Sequence, residues 1–276
     1  INEAGEIAKR RGHKGIASMV NGILRSILRE GVRSTNDIKD PNERLAIETS
    51  HPQWLVDRWV ESYGYEETAE MLRENNIQPV QTVRVNTTKA TVENVLTTLE
   101  REGVKAVRSE VMPECVHLQT GQAARTAAFR HGLITIQDES SMLPANVLNP
   151  QPGMKVLDMC AAPGGKTTHM AEKMQNEGSI LAMDLHPKKL DLIEENTARL
   201  GLEIVQTAPV DGRKAASFLP KESFDAVLVD APCSGLGVMK RNPDSKWKID
   251  QNFIDRIVKE QQQILQDYSK ILKVGG

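Results

Sequence analysis

The chain has 276 residues, of which 39% are apolar and 26% charged, with a formal net charge of −2. That length fits two or three domains of a globular protein rather than one. No apolar run reaches the length of a membrane-spanning helix, and the first residues lack the basic-then-apolar order of an export signal, so a cytoplasmic protein is expected.

The first fifty residues read as helix. Ile16, Met19, Val20, Ile23, Leu24, Ile27 and Leu28 recur at helical spacing, a stripe expected to face a core, and Gly31 supplies a stop signal. Residues 1–34 hold seven Lys or Arg (Lys9, Arg10, Arg11, Lys14, Arg25, Arg29, Arg33) against three acids, which suits either a solvated face or a nucleic-acid contact. The chain opens inside this helical pattern with no start signal before Ile7, so a piece of a longer domain is expected. A middle region follows. It has a predicted helix over Gln53–Tyr63, a strand around Val83 and Val85, a helix from Val92 to Glu102 ended by Gly103, and short strand-like pieces up to Ile136. Cys115, Cys160 and Cys233 are too few and too scattered for a disulfide framework or a zinc site, the six histidines do not cluster, and no metal is expected.

From Met154 the pattern turns regular. Apolar runs begin at Lys155, Ser179, Glu203 and Phe224, spaced by 24, 24 and 21 residues, with helical stretches between the first three. The second of these helices is bounded by Pro187 and Gly201. Continuous Val/Ile/Leu strands alternating with helices predict a parallel sheet covered on both faces, with ligands at the carboxyl ends of its strands. A long helix is expected over Asp250–Leu272, and the sequence stops at Val-Gly-Gly, where a fifth strand is expected.

The turn after the first of these strands, CAAPGGKT, resembles a phosphate loop without meeting its requirement. The first glycine of that motif belongs five residues before Gly165, and Cys160 stands there. The remaining strand, small-residue turn and helix let a ligand approach a helix N-terminus, which favours a carboxylate as well as a phosphate. Asp184 ends the next strand nineteen residues after Gly165, where such sheets place an acid on ribose hydroxyls, although a helix cap reads equally well. Asp211 ends the third strand region, in position for an adenine amino group. Together they describe a nucleoside bearing a carboxylate, and S-adenosylmethionine has that form. The fourth strand ends in Asp230, as an ATPase strand would, but continues Ala-Pro-Cys-Ser-Gly. A thiol beside a methyl donor suits carbon methylation of a pyrimidine, because C5 of cytosine becomes nucleophilic only after a nucleophile adds to C6. Cys233 as a buried small hydrophobe is the alternative.

At these residues the sequence closely resembles the RNA cytosine-5 methyltransferases. The match includes QDESSM from Gln137, LDMCAAPGGKT from Leu157, Asp184, Asp211-Gly and DAPCSGLG from Asp230, and it runs through residues 137–276. The stretches INEAGEIAKRRGHKGIASMVNGILR and HPQWLVDRW extend it towards the bacterial members that act on 16S ribosomal RNA. The resemblance implies an α/β Rossmann-like S-adenosylmethionine-dependent methyltransferase domain over 138–276, lacking its last strands. Before it would come a small α+β RNA-recognition or linker domain over 51–137 and, at 1–50, the C-terminal part of a NusB-like helical RNA-binding domain. It also implies that Cys160, Ala161, Ala162, Pro163, Gly164, Gly165 and Lys166 line the methionine moiety, with Asp184 on the ribose, Asp211 on the adenine and Asp230 beside donor and target. The nucleophile that attacks C6 is implied beyond Gly276, with Cys233 helping to release the methylated base. Lys240, Arg241, Lys246, Trp247 and Lys248 would grip RNA or form a charged surface. A monomer methylating C5 of one cytosine in 16S ribosomal RNA is the expectation; a protein that binds cofactor and RNA without turnover, a phosphate-loop ATPase and a DNA methylase are the alternatives.

Overall fold

The computed structural model describes residues 1–31 and 34–276, so Arg33 of the basic group lies outside the described residues. Helix α1 (Asn2–Arg11) packs on α2 (Lys14–Glu30), and Gly31 ends α2 with φ 79° and its N–H on the Ile27 carbonyl, as expected. The expected core face of α2 is not buried. Ile16, Met19, Ile23, Ile27 and Leu28 are between 38% and 71% exposed, and Ala17 alone in α2 is buried. The reason is the small partner: α1 buries only Gly5, which sits against Asn21 of α2, and covers too little area to hide seven apolar side chains.

Helix α3 (Pro41–Thr49) starts where Asp40 accepts the N–H groups of Asn42 and Glu43, with Pro41 at the first turn. Helix α4 (Gln53–Tyr63) matches the sequence expectation, and Gly64 turns the chain directly into α5 (Tyr65–Asn75), which no side-chain cap announces. Leu45, Ala46, Val56, Ala69 and Leu72 pack together as the core of these three helices. All five helices belong to one compact unit, Ile1–Ile77.

The second unit, Gln78–Gly276, holds two sheets. Strand β1 (Gln81–Val85) leads to α6 (Val92–Arg101), capped by the Thr91 hydroxyl and closed by Gly103 at φ 75°. Then come β2 (Ala106–Arg108), β3 (Cys115–Leu118), α7 (Ala127–Arg130) and β4 (Ile134–Ile136), giving an antiparallel sheet in the order β2-β3-β1-β4. Alternation sets its two faces: Val83, Val85, Val116 and Leu118 join Val95 and Leu99 of α6 in one core, while Thr82, Arg84, Cys115 and His117 share the other face.

Helix α8 (Glu139–Leu148) connects to the parallel sheet, built from β5 (Lys155–Asp158), α9 (Gly165–Lys173), β6 (Ser179–Asp184), α10 (Pro187–Leu200), β7 (Val205–Pro209), β8 (Ala226–Leu228) and α11 (Gln251–Tyr268). Its order is β7-β6-β5-β8, so the chain leaves the middle in both directions and the switch lies between β5 and β8. Val156, Ile180 and Leu228 pack with Ala145 of α8, Met170 of α9 and Met174 at the C-cap of α9; Leu157 and Met183 pack with Ile264 and Tyr268 of α11. The sheet is thus covered on both faces, as its continuous apolar runs require. Among the described residues no helix is long and apolar enough to cross a membrane.

Candidate functional site

At the carboxyl ends of β5 and β8 lies a cleft of about 210 Å³. Cys160, Ala161, Ala162, Pro163, Gly165, Lys166 and Asp230 line it, all of them singled out by the sequence, together with Gln137, Asp138, Ser141 and Asp158. Gly164 takes φ 98° just before α9, and a side chain there would press on Ile193 of α10, so the turn needs glycine to seat the helix against its neighbour. Lys166 reaches across the cleft from the first turn of α9 and donates to Asp230.

Asp158 is the acid that sequence reasoning passed over. It ends β5, is 1% exposed, and its Oδ2 accepts the Thr167 hydroxyl at 2.7 Å, whereas Oδ1 is buried with no partner. Burial pushes its carboxyl up from 3.8 to about 7, opposed by the Thr167 hydrogen bond and aided by the Asp230 charge. The signal was present, since Asp158 follows Val156 and Leu157 at a strand end, but an acid there also reads as a strand terminator. Cys160 is held protonated, its thiol pushed up to about 12 by burial and by the charges of Asp158, Asp184 and Asp230.

Behind the turn sits Arg84, completely buried on β1. Its Nε and Nη2 donate to the two carboxylate oxygens of Glu172 at 2.8 and 2.9 Å, Nη2 also to the Thr168 hydroxyl at 3.0 Å, and Nη1 to the Gly165 carbonyl at 2.8 Å and to Gln137. Every donor of the guanidinium is used, and two of its acceptors, Gly165 and Gln137, line the cleft. Burial raises the Glu172 carboxyl while Arg84 pulls it down.

The other predicted residues lie around this centre. Asp184 ends β6, 8% exposed, with Oδ1 accepting the His186 N–H at 3.0 Å in the turn before α10. The cap position of that helix is His186 and carries no side-chain cap bond, so Asp184 is not a helix cap. Asp211 follows β7, and its carboxylate is held low by hydrogen bonds from the Arg213 side chain. Neither lines the cleft, and neither does Cys233, which is exposed rather than a buried hydrophobe. In the basic segment, Trp247 is 59% exposed, Arg241 pairs with Asp138 and Lys248 with Asp244. Lys246 is 4% exposed, so it cannot present a charge to a polyanion; its burial lowers its ammonium. A larger cavity, about 590 Å³, flanks the far end of α9 and contains none of the predicted residues. There His169 Nε2 meets Glu114 at 3.0 Å, with burial pushing the imidazole down to about 4.

Comparison with known proteins agrees with this architecture. The family described as 16S rRNA methyltransferase RsmB/F matches residues 145–276, and the ferredoxin-like domain of RsmF/B-like methyltransferases matches residues 51–125. The probable ribosomal RNA small subunit methyltransferase B of Bacillus subtilis is 48% identical over all of this chain, which covers 62% of that protein. The ribosomal RNA small subunit methyltransferase B of Salmonella arizonae is 35% identical over 95% of the chain, which covers 59% of it. The chain therefore spans about three-fifths of the curated relatives it matches. Among solved structures, that of PH0851 superposes with a TM-score of 0.86 at 33% identity over 98% of this chain and 60% of its own. A methyltransferase homologue from Pyrococcus horikoshii superposes at 0.74 with 28% identity, over 85% of this chain and 74% of its own.

Proposed function

The chain belongs to the 16S rRNA methyltransferase RsmB/F family, whose fold is the Rossmann-like one of S-adenosylmethionine-dependent methyltransferases, and from that premise we propose that the protein carrying it methylates C5 of a cytosine in 16S ribosomal RNA. The observation that carries this reading is the chemistry of the cleft. The bare Oδ1 of Asp158 is an acceptor for an ammonium group, and Lys166 with the first-turn amides of α9 offers donors to a carboxylate. An amino-acid tail satisfies both; a triphosphate brings no cation to Asp158 and would meet the charge of Asp230. The flanking strand ends supply Asp184 for ribose hydroxyls and Asp211 for the adenine edge. S-adenosylmethionine, when bound there, supplies an electrophilic methyl group.

The chain's own part in the reaction is to hold and polarise. Asp230, just past the end of β8 and bonded to Lys166, delivers a proton to the N3 edge of a cytosine drawn out of its stack. A proton shared with N3 withdraws electron density from the ring and favours addition at C6. Cys233, exposed three residues further on, assists release of the methylated base. The attack on C6 itself is assigned by the resemblance to a second thiol in a Thr-Cys motif.

Calorimetric titration of the chain with S-adenosylhomocysteine and, separately, with Mg-ATP tests the reading. Binding of the first alone, weakened about tenfold or more by Asp184→Ala, is expected. Binding of Mg-ATP alone would revive the phosphate loop and overturn the assignment. For the finer claim, 16S ribosomal RNA treated with the full-length protein should yield 5-methylcytidine by nucleoside mass spectrometry, and any other methylated nucleoside would refute it.

A further inference from the structure

Cys115 and His117 stand two residues apart on β3, so strand geometry puts both on one face, while Val116 and Leu118 point into the α6 core. That face meets the first turn of α8, where Glu139 is the first helical residue. One ligand atom from each of Cys115, His117 and Glu139 lies within 4.8 Å of the other two. His117 Nε2 and Glu139 Oε2 are 3.2 Å apart. Ser109 holds the carboxylate in place: its hydroxyl donates to Glu139 Oε1 and accepts the N–H groups of Val111 and Met112 at 2.9 and 3.0 Å. His117 and Glu139 also line an open cleft of about 360 Å³, which gives an ion a route in and leaves room for water.

We propose that Cys115, His117 and Glu139 form a zinc site whose fourth position is taken by water from this cleft. One thiolate, one imidazole and one carboxylate make a mixed donor set that suits zinc and is too soft for magnesium or calcium. Zinc bonds of about 2.0–2.3 Å in a tetrahedron imply ligand-to-ligand edges of about 3.3–3.6 Å. The His117–Glu139 edge, 3.2 Å, is close to that length, and the thiol, within 4.8 Å of both, needs to approach by no more than about 1.5 Å. Binding forms a zinc–sulfur bond as the thiol proton passes to solvent, and it replaces the His117–Glu139 contact by two metal bonds. The ion would fasten β3 to the start of α8, next to Asp138 and Gln137 on the wall of the methyl-transfer cleft. The spacing of cysteines and histidines in the sequence hides this site, because its third ligand comes from another element 22 residues after His117.

The test is made on the whole chain, loaded with zinc and dialysed against metal-free buffer, with zinc counted by plasma mass spectrometry. About one zinc per chain is expected, and the cobalt-substituted protein should show a thiolate-to-cobalt charge-transfer band. In competition with a chromophoric chelator, Cys115→Ser and Glu139→Gln should each weaken zinc binding by at least about tenfold, while Cys160→Ser/Cys233→Ser keeps it. Glu139→Gln keeps shape and sits at the rim, so it reads the site even if Cys115→Ser folds poorly. Absence of retained zinc, zinc that survives both ligand variants, or zinc lost from the Cys160→Ser/Cys233→Ser protein would each overturn the proposal.

Discussion

Arg84 and Asp158 show how far a single buried ionisable group can depart from what its neighbours in sequence suggest. In Val83-Arg84-Val85 the charge reads as the wet side of an alternating strand, yet Arg84 is completely buried because its partner Glu172 arrives from α9. Removing one member of such a pair strands the other without compensation. Arg84→Met is therefore expected to cost about 3–5 kcal/mol in urea denaturation, and Arg84→Met/Glu172→Leu to recover at least half of it. A double variant no more stable than the single one would mean that the contacts to Gly165 and Gln137, not the charge pair, carry the cost. Asp158 makes stability depend on pH in a stated direction. Its folded value is raised from 3.8 to about 7, so the folded chain holds a proton that the unfolded chain gives up. The corresponding stability is fully present below about pH 4 and is lost as pH rises through about 7. Between pH 5 and pH 8 the unliganded protein should lose roughly 3 kcal/mol more than Asp158→Asn does, measured by urea titration at both values. Equal losses would place the raised carboxyl elsewhere.

Among the elements, the strands of the parallel sheet were legible because a strand buried on both faces must be a continuous apolar run, and the acids marking the ends of β5, β6 and β8 sit where those runs stop. Helix α10 was legible from its boundary residues, Pro187 and Gly201, and α4 and α6 from their spacing. The turn residues at the cleft could be read as a group for the same reason: the strand before them and the helix after them are both fixed by local sequence. What could not be read is what depends on a distant partner. The stripe on α2 has the right period for a core face, but period reports a preference for burial and not the presence of a cover. The same holds for α5, which follows α4 with no capping side chain. Gly132 is a second element-level case. It turns the chain from α7 into β4 at φ 69°, and a Cβ there would lie 2.0 Å from the carbonyl oxygen of Arg199, at the end of α10. A backbone atom cannot move aside as a side-chain tip can. Gly132→Ala should cost more than about 2 kcal/mol in thermal or urea unfolding, with the loss felt by both sheets; a cost below about 0.5 kcal/mol would show that the α10 terminus yields.

Over the whole molecule, the division between the two compact units falls after Ile77, inside the stretch that matches the ferredoxin-like domain. Both sheets and every residue of the cleft lie on the carboxyl side of that division. Residues 78–276 made alone are therefore expected to bind S-adenosylhomocysteine within about threefold of the whole chain by calorimetry; a loss of tenfold or more would give the helical unit a share in the site. Arg84 carries one more consequence, for the time at which the protein is made. Glu172 is 88 residues further along the chain. At the usual pace of ribosomes, about 5–20 residues per second, Arg84 exists for about 4–18 s before its counter-ion has been synthesised. Once Ile136 has completed β4, the antiparallel sheet has all its strands but must keep the Arg84 face hydrated until Glu172 follows. Its closure waits for the emergence of α9, so the antiparallel sheet cannot finish folding before its parallel neighbour has begun.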